Sequence, residues 1–361
     1  MIRVLHIIDH LGLGGAQSAL LDLVGSMDRS QFHIEVATMH GRGLFADQLE
    51  AKGVKVHSLA PGKWPPVYIP NLVQLLRNGR YDLLHFHLQG SNWLAKPFSA
   101  FVASARRVAH DHSSADLRFR KWWSLAPDAA AHLFSHRVVA VSGGVAGFLR
   151  RREFVPASKI AVVPNGVDTK MFRPVTPTER EKARTALGAS TGQFVAGALG
   201  RLAPEKNFQS LAALAHAMPD VLFVIGGTGP ERDAVLAASG GAKNLRLLGE
   251  VSDRPLFYAA LDVFILPSLH EALPMTVLEA MASGVPVIAS NLEGVSSALG
   301  GTGLLVPAGD MNALESALRS VVANSAVASR LSSAARERVT ERYDARLSAR
   351  KIEDVYHQLV S

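Results

Sequence analysis

Short apolar runs alternate with amphipathic stretches along the whole chain. The runs are rich in β-branched residues and too short for helices, which is typical of strands buried in a parallel sheet. They form two groups, the first at 4–9, 32–39, 55–59, 83–87, 106–110 and 137–142, and the second at 194–200, 222–227, 245–249, 263–268 and 286–290. Patterns of helical period separate them. This alternation of strands and helices predicts two doubly wound α/β domains with a ligand cleft between them.

The stretch 164–192 separates the two groups of predicted strands. It contains proline residues, a turn signal and one charged helical pattern, so we interpret it as the linker between the domains. Asn165-Gly166 at its start predicts a tight turn with a structural role. A length of 361 residues fits two domains better than one core.

The most informative segment is SLHEALPMTVLEAMASGVPVI, residues 268–288. A buried strand ends at Ser268, Pro274 suits the first turn of a helix, and Gly284 stops that helix. Glu271 therefore lies in a strand-to-helix loop, and Glu279 lies inside the helix. The first free N–H groups, near Leu273 to Thr276, can hold a phosphate. Taken alone, both glutamates could equally be ordinary surface charges.

Other loops after predicted strands carry glycine or charge. Gly14 and Gly15 follow the first strand, but the dinucleotide fingerprint G-x-G-x-x-G is incomplete because Gln17 stands at its last position. Gly200, Arg201 and Lys206 follow the first strand of the second group, where two cations could neutralise a pyrophosphate. Gly227 and Gly229 form a second glycine-rich turn.

The motifs together resemble the retaining, nucleotide-sugar-dependent glycosyltransferases of family 4, which have the GT-B fold of two facing Rossmann-like domains. The E-x7-E signature and its surroundings match at these positions: Pro267, Ser268, Glu271, Pro274, Leu278, Glu279, Ala280, Met281, Gly284, Pro286 and Val287. The resemblance implies an N-terminal acceptor domain at 1–168, a nucleotide-sugar domain at 169–345 and a helix at 346–361 that crosses back to the first domain. It departs at Ser297, where the family commonly has Glu.

The resemblance also implies roles for individual residues. Glu271 would contact the donor sugar and Glu279 the ribose of the nucleotide, while Arg201 and Lys206 would stabilise the departing diphosphate without a metal. The implied donor site also includes Gly14, Gly15, Gly200, Gly227, Gly229, Leu273, Pro274 and Met275, with main-chain groups at 248–251 reading the base. His112 is the implied histidine near the donor sugar, with His110 as its alternative, and Ser142 and Asn165 are further candidates.

The pair His110 and His112 also raises the question of a metal. His-x-His on a loop needs further ligands, and no others stand at a persuasive spacing, so we expect no metal and no cofactor besides the donor substrate.

Zero cysteines exclude disulfides and thiolate sites and fit a reducing compartment. No apolar stretch is long enough to span a membrane, and the N-terminus does not look like a signal peptide. The expectation is a cytoplasmic protein, with association at the inner face of the plasma membrane left open.

The net charge of +7 falls entirely before residue 169, with 19 basic against 12 acidic residues there. Part of it lies beside tryptophans, in the segment 118–123. Contact with an anionic membrane and a solvated helix face are equally good explanations of this pattern. Nucleic acid is not expected, because no binding module accompanies the charge.

The sequence therefore predicts a retaining transferase that moves a sugar from a nucleoside-diphosphate sugar to a glycan or lipid-linked acceptor, in cell-surface polysaccharide or lipopolysaccharide assembly. The loops at 41–47 and 63–69 would select the acceptor. Three alternatives stay open. They are a GT-B epimerase, which would form product without an acceptor, a protein that binds donor without turnover, and a nicotinamide oxidoreductase.

Overall fold

A computed structural model describes residues 1–60, 68–112 and 125–361. The chain divides into two compact units, the first containing 1–166 and 345–361 and the second 167–344. The predicted boundary at residue 168 lies within two residues of this division. The predicted acceptor loop at 63–69 falls mostly outside the described residues, and the basic, tryptophan-rich segment 118–123 lies wholly outside them.

The first unit contains a parallel sheet of seven strands in the order β3-β2-β1-β4-β5-β6-β7. The strands are β1 (Ile2–Ile8), β2 (Phe32–Thr38), β3 (Lys55–Ser58), β4 (Leu83–His87), β5 (Arg106–Asp111), β6 (Arg137–Ala140) and β7 (Ile160–Val162). The helices are α1 (Gly15–Ser26), α2 (Phe45–Ala51), α3 (Tyr68–Gly79), α4 (Lys96–Val102), α5 (Leu125–His132), α6 (Gly143–Arg152) and, from the C-terminus, α15 (Ala345–Val360).

The second unit contains a parallel sheet of six strands in the order β10-β9-β8-β11-β12-β13. They are β8 (Phe194–Leu199), β9 (Val221–Gly226), β10 (Leu245–Gly249), β11 (Val263–Leu266), β12 (Val287–Ser290) and β13 (Leu304–Val306). The helices are α7 (Pro177–Ala186), α8 (Phe208–Ala217), α9 (Arg232–Ala238), α10 (Arg254–Ala259), α11 (Met275–Ala282), α12 (Glu293–Leu299), α13 (Met311–Ala323) and α14 (Ser325–Arg342).

The predicted fold class, two doubly wound parallel sheets, is confirmed. Two strands were missed, β7 and β13, because each has only three residues and stands at the edge of its sheet. The C-terminal helix α15 belongs to the first unit, where Ile352 and Tyr356 join the core beneath β1 and α1.

The predicted tight turn at Asn165-Gly166 is wrong. Neither residue lies in a turn, and Gly166 does not have a positive φ. A Cβ at Gly166 would instead lie 2.5 Å from Cα of Ala345. Glycine is therefore required there by the close approach of two backbone segments, which sequence spacing does not reveal.

Candidate active site

Both sheets have a topological switch point, where neighbouring strands have connections that run in opposite directions. In the second unit it lies between β8 and β11, and in the first between β1 and β4. The loops after such strands diverge and leave a crevice at their carboxyl ends, which is where open α/β sheets bind ligands. Topology alone therefore selects the loops that follow β8, β11, β1 and β4.

Lys206 and Glu271 meet at the switch point of the second unit. Lys206 follows β8 and Glu271 follows β11, and Nζ of the lysine donates to Oε1 of the glutamate at 2.5 Å. Ser268, the last residue of the predicted strand, donates its hydroxyl to the same oxygen at 2.8 Å. Both charged side chains are mostly buried, so this pair is held in one geometry while its outer edge remains open to solvent.

Arg201, the other predicted cation, is not part of this pair. Its side chain is 68% exposed, and Nη2 donates to Oε1 of Glu205 at 2.6 Å. An exposed ion pair of this kind contributes little to stability, so the guanidinium is free to exchange its partner for an incoming anion at small cost.

The glycine loops of the second unit pack against each other. Gly227 has φ +129, and a Cβ added to it would lie 1.8 Å from the carbonyl oxygen of Gly200. A Cβ on Gly229 would lie 2.3 Å from the carbonyl oxygen of Leu202. Both positions require glycine because the two loops are in contact. The close approach of these loops to a nucleotide, which the resemblance implies, stays a prediction.

The loop before α11 is also tightly packed. The side chains of Leu273 and Met275 are buried, and a Cβ on Gly294, in α12, would lie 1.7 Å from the carbonyl oxygen of Ala272. Pro274 is the N-cap residue, and the first amide bonded back to its carbonyl is that of Val277 at 3.2 Å. The amides of Met275 and Thr276 precede that bond and have no partner within the helix, as an anion site requires.

Glu279 lies in a different environment from Glu271. It is fully buried inside α11, where Arg254 donates to Oε1 and the Tyr258 hydroxyl donates to Oε2 at 3.0 Å. Burial raises the pKa of Glu279, and the Arg254 guanidinium opposes that effect. The sequence did not indicate Arg254 or Tyr258, which lie on α10 and carry no motif of their own. The predicted ribose contact of Glu279 is untested by this arrangement.

At the switch point of the first unit, Asp9 connects the loop after β1 to the loop after β4. Its carboxylate accepts from the amides of Gly90 at 3.0 Å and Ser91 at 2.6 Å. Gly14 is the N-cap residue of α1 and Gly15 its first residue, and both are exposed. The structure therefore places the two predicted glycines at the crevice, with Asp9 as a neighbour that the sequence analysis missed.

Five histidines form a stacked cluster in the first unit, which we call the histidine cluster: His6, His85, His87, His110 and His112. They come from three adjacent strands, because parallel register pairs His6 with His85 and His87 with His110. Residues two apart on a strand share a face. The two H-x-H spacings, LHFH and AHDH, were the available signal, and the sequence analysis considered only the second.

Hydrogen bonds run through the histidine cluster. Nδ1 of His6 lies 2.9 Å from Nε2 of His87, and Nδ1 of His87 lies 3.2 Å from Nε2 of His112. Burial lowers the pKa of His6 to about 3 and that of His112 to about 4. The pKa values of His85, His87 and His110 are also lowered by burial. The cluster is therefore neutral at pH 7.

The cluster corrects one part of the sequence analysis. Further ligands do stand near His110 and His112, because a ring nitrogen of His87 lies within 4.8 Å of theirs, and His6, His85 and His87 form a second such group. Imidazole sets of this kind suit Zn²⁺. Both ring nitrogens of His87 are already hydrogen-bonded, however, so a metal would have to displace one of those bonds.

The remaining predicted residues of the first unit have different surroundings. Ser142 is the N-cap residue of α6 and accepts from the amide of Val145 at 3.3 Å. Asn165 is buried and lines a small cavity together with His87, His110 and His112. His110 is buried, whereas His112 is partly exposed. The structure thus brings Asn165 to the two histidines and gives Ser142 a local structural contact.

Within the described ranges, no helix combines the length and apolar character needed to cross a bilayer. The exposed Arg150, Arg151 and Arg152 end α6. Cations at a helix C-terminus interact favourably with its dipole, which gives these three a local explanation.

Comparisons with known proteins agree with this architecture. Family models described as "Glycosyltransferase Family 4" and "Glycosyl transferases group 1" match residues 13–171 and 193–324. The Escherichia coli UDP-Gal:alpha-D-GlcNAc-diphosphoundecaprenol alpha-1,3-galactosyltransferase is 28% identical over 80% of this chain and 79% of its own. The lipopolysaccharide core biosynthesis mannosyltransferase LpsB of Rhizobium meliloti is 31% identical over 62% and 66%.

A solved structure, that of Anabaena HepE in complex with UDP-glucose, has a TM-score of 0.88 and 23% identity. The alignment covers 99% of this chain and 100% of HepE. At this level of identity the likeness concerns the fold.

Proposed function

This chain is a glycosyltransferase of family 4 with the GT-B fold, and we propose that it transfers a sugar, with retention of anomeric configuration, from a nucleoside-diphosphate sugar to a lipid-linked or glycan acceptor. The relatives named above act on diphosphoundecaprenol-linked and lipopolysaccharide acceptors. Their chemistry supports a role in cell-surface polysaccharide or lipopolysaccharide assembly.

The observation that carries the proposal is the pair Lys206–Glu271 at the switch point of the second unit. Transfer from a nucleotide sugar builds negative charge on the departing diphosphate. A cation fixed beside the crevice stabilises that charge more in the transition state than in the ground state, which is what accelerates a reaction. Arg201, which is itself exposed and can exchange its partner Glu205, is the second cation. We propose that the two replace a metal ion in this role.

Glu271 has two functions in this mechanism. Its Oε1 accepts from Lys206 and Ser268, which fixes the position of the ammonium. Its other oxygen, Oε2, is left to accept from a hydroxyl of the donor sugar. His112, a neutral imidazole at the edge of the first unit, can form a hydrogen bond to a sugar hydroxyl. The second carboxylate proposed for the donor site, that of Glu279, is buried with both oxygens hydrogen-bonded and does not suit a double displacement. We therefore propose that the acceptor attacks from the face that the diphosphate leaves.

The test is donor turnover by the purified chain with UDP-, GDP- and ADP-sugars, in chelator, with and without membrane lipid extract. We expect release of one nucleotide, with UDP the first to test. Lys206→Ala should lower kcat by roughly 10²- to 10³-fold, the cost of removing one preorganised charge donor. Arg319→Ala removes an exposed cation, paired with Glu315 on α13, and should leave kcat unchanged.

Four outcomes would contradict parts of the proposal. Full turnover by Lys206→Ala would show that the pair is structural, and a strict requirement for a divalent cation would refute metal independence. The one-bond coupling between C1 and H1 in the product, measured by NMR, reports its anomeric configuration. An inverted product would refute retention, and product formed from donor alone would point to an epimerase.

A further inference from the structure

A second polar site lies at the opposite edge of the sheet in the first unit. Arg106 and Arg107 begin β5, Arg137 begins β6, and Lys159 immediately precedes β7. Strand starts and strand ends are at opposite edges of a parallel sheet, so these residues are distant from the crevice at Asp9 and His112. Together with His136 they line an open cavity with an empty volume of about 800 Å³, which we call the basic pocket.

The charge of the basic pocket is not neutralised. Four of its ten lining residues are cationic and none is acidic. In the part of the chain that the structure describes, no carboxylate forms an ion pair with Arg106, Arg107, Arg137 or Lys159. Concentrated charge of one sign without partners is unfavourable for folding, which favours a ligand of opposite charge as its explanation.

Backbone carbonyls hold the cations in place. Arg107 donates from Nε to the carbonyl of Phe134 at 2.9 Å and from Nη1 to that of Ala105 at 3.1 Å. Lys159 donates from Nζ to the carbonyl of Ser135 at 3.0 Å, and Arg137 donates to the carbonyl of Ser158. These bonds orient the side chains but use only some of their donors. The remaining N–H groups are available to an anion.

His136 adds a neutral donor. Its Nδ1 accepts from the backbone amide of Arg107 at 3.0 Å, so in the neutral ring the proton is on Nε2. Burial lowers the pKa of His136, and Arg107, Arg106 and Lys159 lower it further. The three cations are therefore close enough to act on one imidazole, as they would on one phosphate.

We propose that the basic pocket binds a phosphate group. Tetrahedral oxyanions accept several charge-assisted hydrogen bonds at once, and arginine suits them in particular because its donors are arranged as a planar fork. The apolar side chains at the pocket favour a phosphate that belongs to a lipid. Leu133, which is 78% exposed, and Leu359 line it, and Phe101, which is 83% exposed, lies with its ring centroid 6.3 Å from that of Phe134.

The test measures binding by the full chain without donor or acceptor, so its result is independent of the transferase proposal. One arm titrates inorganic phosphate and glycerol 3-phosphate by NMR, and the other measures sedimentation with phosphatidylglycerol vesicles against phosphatidylcholine vesicles. The variant Arg106→Gln/Lys159→Gln keeps Arg107 and its backbone contacts. It should weaken binding about tenfold or more, since bonds to charged groups contribute more than neutral ones.

The matched control is Arg150→Gln/Arg151→Gln, which removes the same charge from the end of α6. Binding of free phosphate that is lost only in the pocket variant supports a soluble ligand, and binding of phosphatidylglycerol vesicles alone, with the same loss, supports a lipid phosphate. Absence of binding in both arms overturns the proposal. Equal weakening by the control also overturns it, because binding would then depend on net charge and not on the pocket.

Discussion

Acid should destabilise the first unit sharply because of the histidine cluster. Four of its members, His6, His85, His87 and His110, are buried and have a pKa lowered by that burial. A group whose pKa is lower in the folded state is protonated first in the unfolded state. Stability is therefore lost as the pH falls through the unfolded value, near 6.5, toward the folded value.

The size of the effect between pH 7.5 and 5.5 depends only on the unfolded pKa, provided that the folded pKa lies well below 5.5. Each histidine then costs about 1.4 kcal/mol over this interval, and four cost about 5 to 6 kcal/mol. That sum is comparable to the whole stability of an ordinary domain, about 5 to 15 kcal/mol. We expect the first unit to be marginal or unfolded at pH 5.5.

Tryptophan fluorescence can follow this unit alone, since all four tryptophans precede residue 167. Urea unfolding at pH 7.5 and 5.5 gives the difference in unfolding free energy. His85→Leu should reduce that difference by about 1.4 kcal/mol, whatever its effect at either pH, because one proton-binding site of the unfolded state is gone.

The reasoning would be refuted if His85→Leu and the parent chain showed the same pH difference. The difference in unfolding free energy between the two pH values could also be smaller in the parent chain than expected, by the contribution of one histidine. It would show that the folded cluster accepts one proton, shared along the hydrogen bonds from His6 to His112.

Two further predictions concern the second unit. Gly227→Ala would place a Cβ against the carbonyl oxygen of Gly200, so we expect severe destabilisation in thermal unfolding. The control Gly241→Ala, at a φ of +77 with nothing within 4 Å, should cost only its backbone strain. Equal losses of stability in the two variants would contradict the loop-contact argument. Glu279→Ala removes the carboxylate that is paired with the buried Arg254 and should cost about 3 to 5 kcal/mol in urea unfolding. An Arg254→Met/Glu279→Met variant that is no more stable than the single one would contradict this account.

The sequence was sufficient for the fold class and for placing Lys206 and Glu271 in loops that follow buried strands. Both follow from local sequence patterns, because a buried strand is recognised by its composition and the carboxyl ends of parallel strands lie at the same edge of the sheet. Edge strands β7 and β13 were missed because three residues give no readable pattern. The partners of Glu279 and three members of the histidine cluster, His6, His85 and His87, were missed because they depend on which strands and helices become neighbours.

Glu271 and Glu279 differ more than their shared signature indicates. Eight positions along the chain take the backbone from a loop at the end of β11 to the interior of α11, and the surroundings change from a crevice to a core. One carboxylate oxygen of Glu271 accepts hydrogen bonds from a cation and a hydroxyl, and the other can accept from a ligand. Both oxygens of Glu279 are occupied by α10. In this state it joins α10 to α11 and so fixes the helix whose first turn faces the crevice. A ribose contact would require Tyr258 or Arg254 to yield one oxygen. If Glu279 bound the ribose, donor binding would therefore be coupled to the packing of α10.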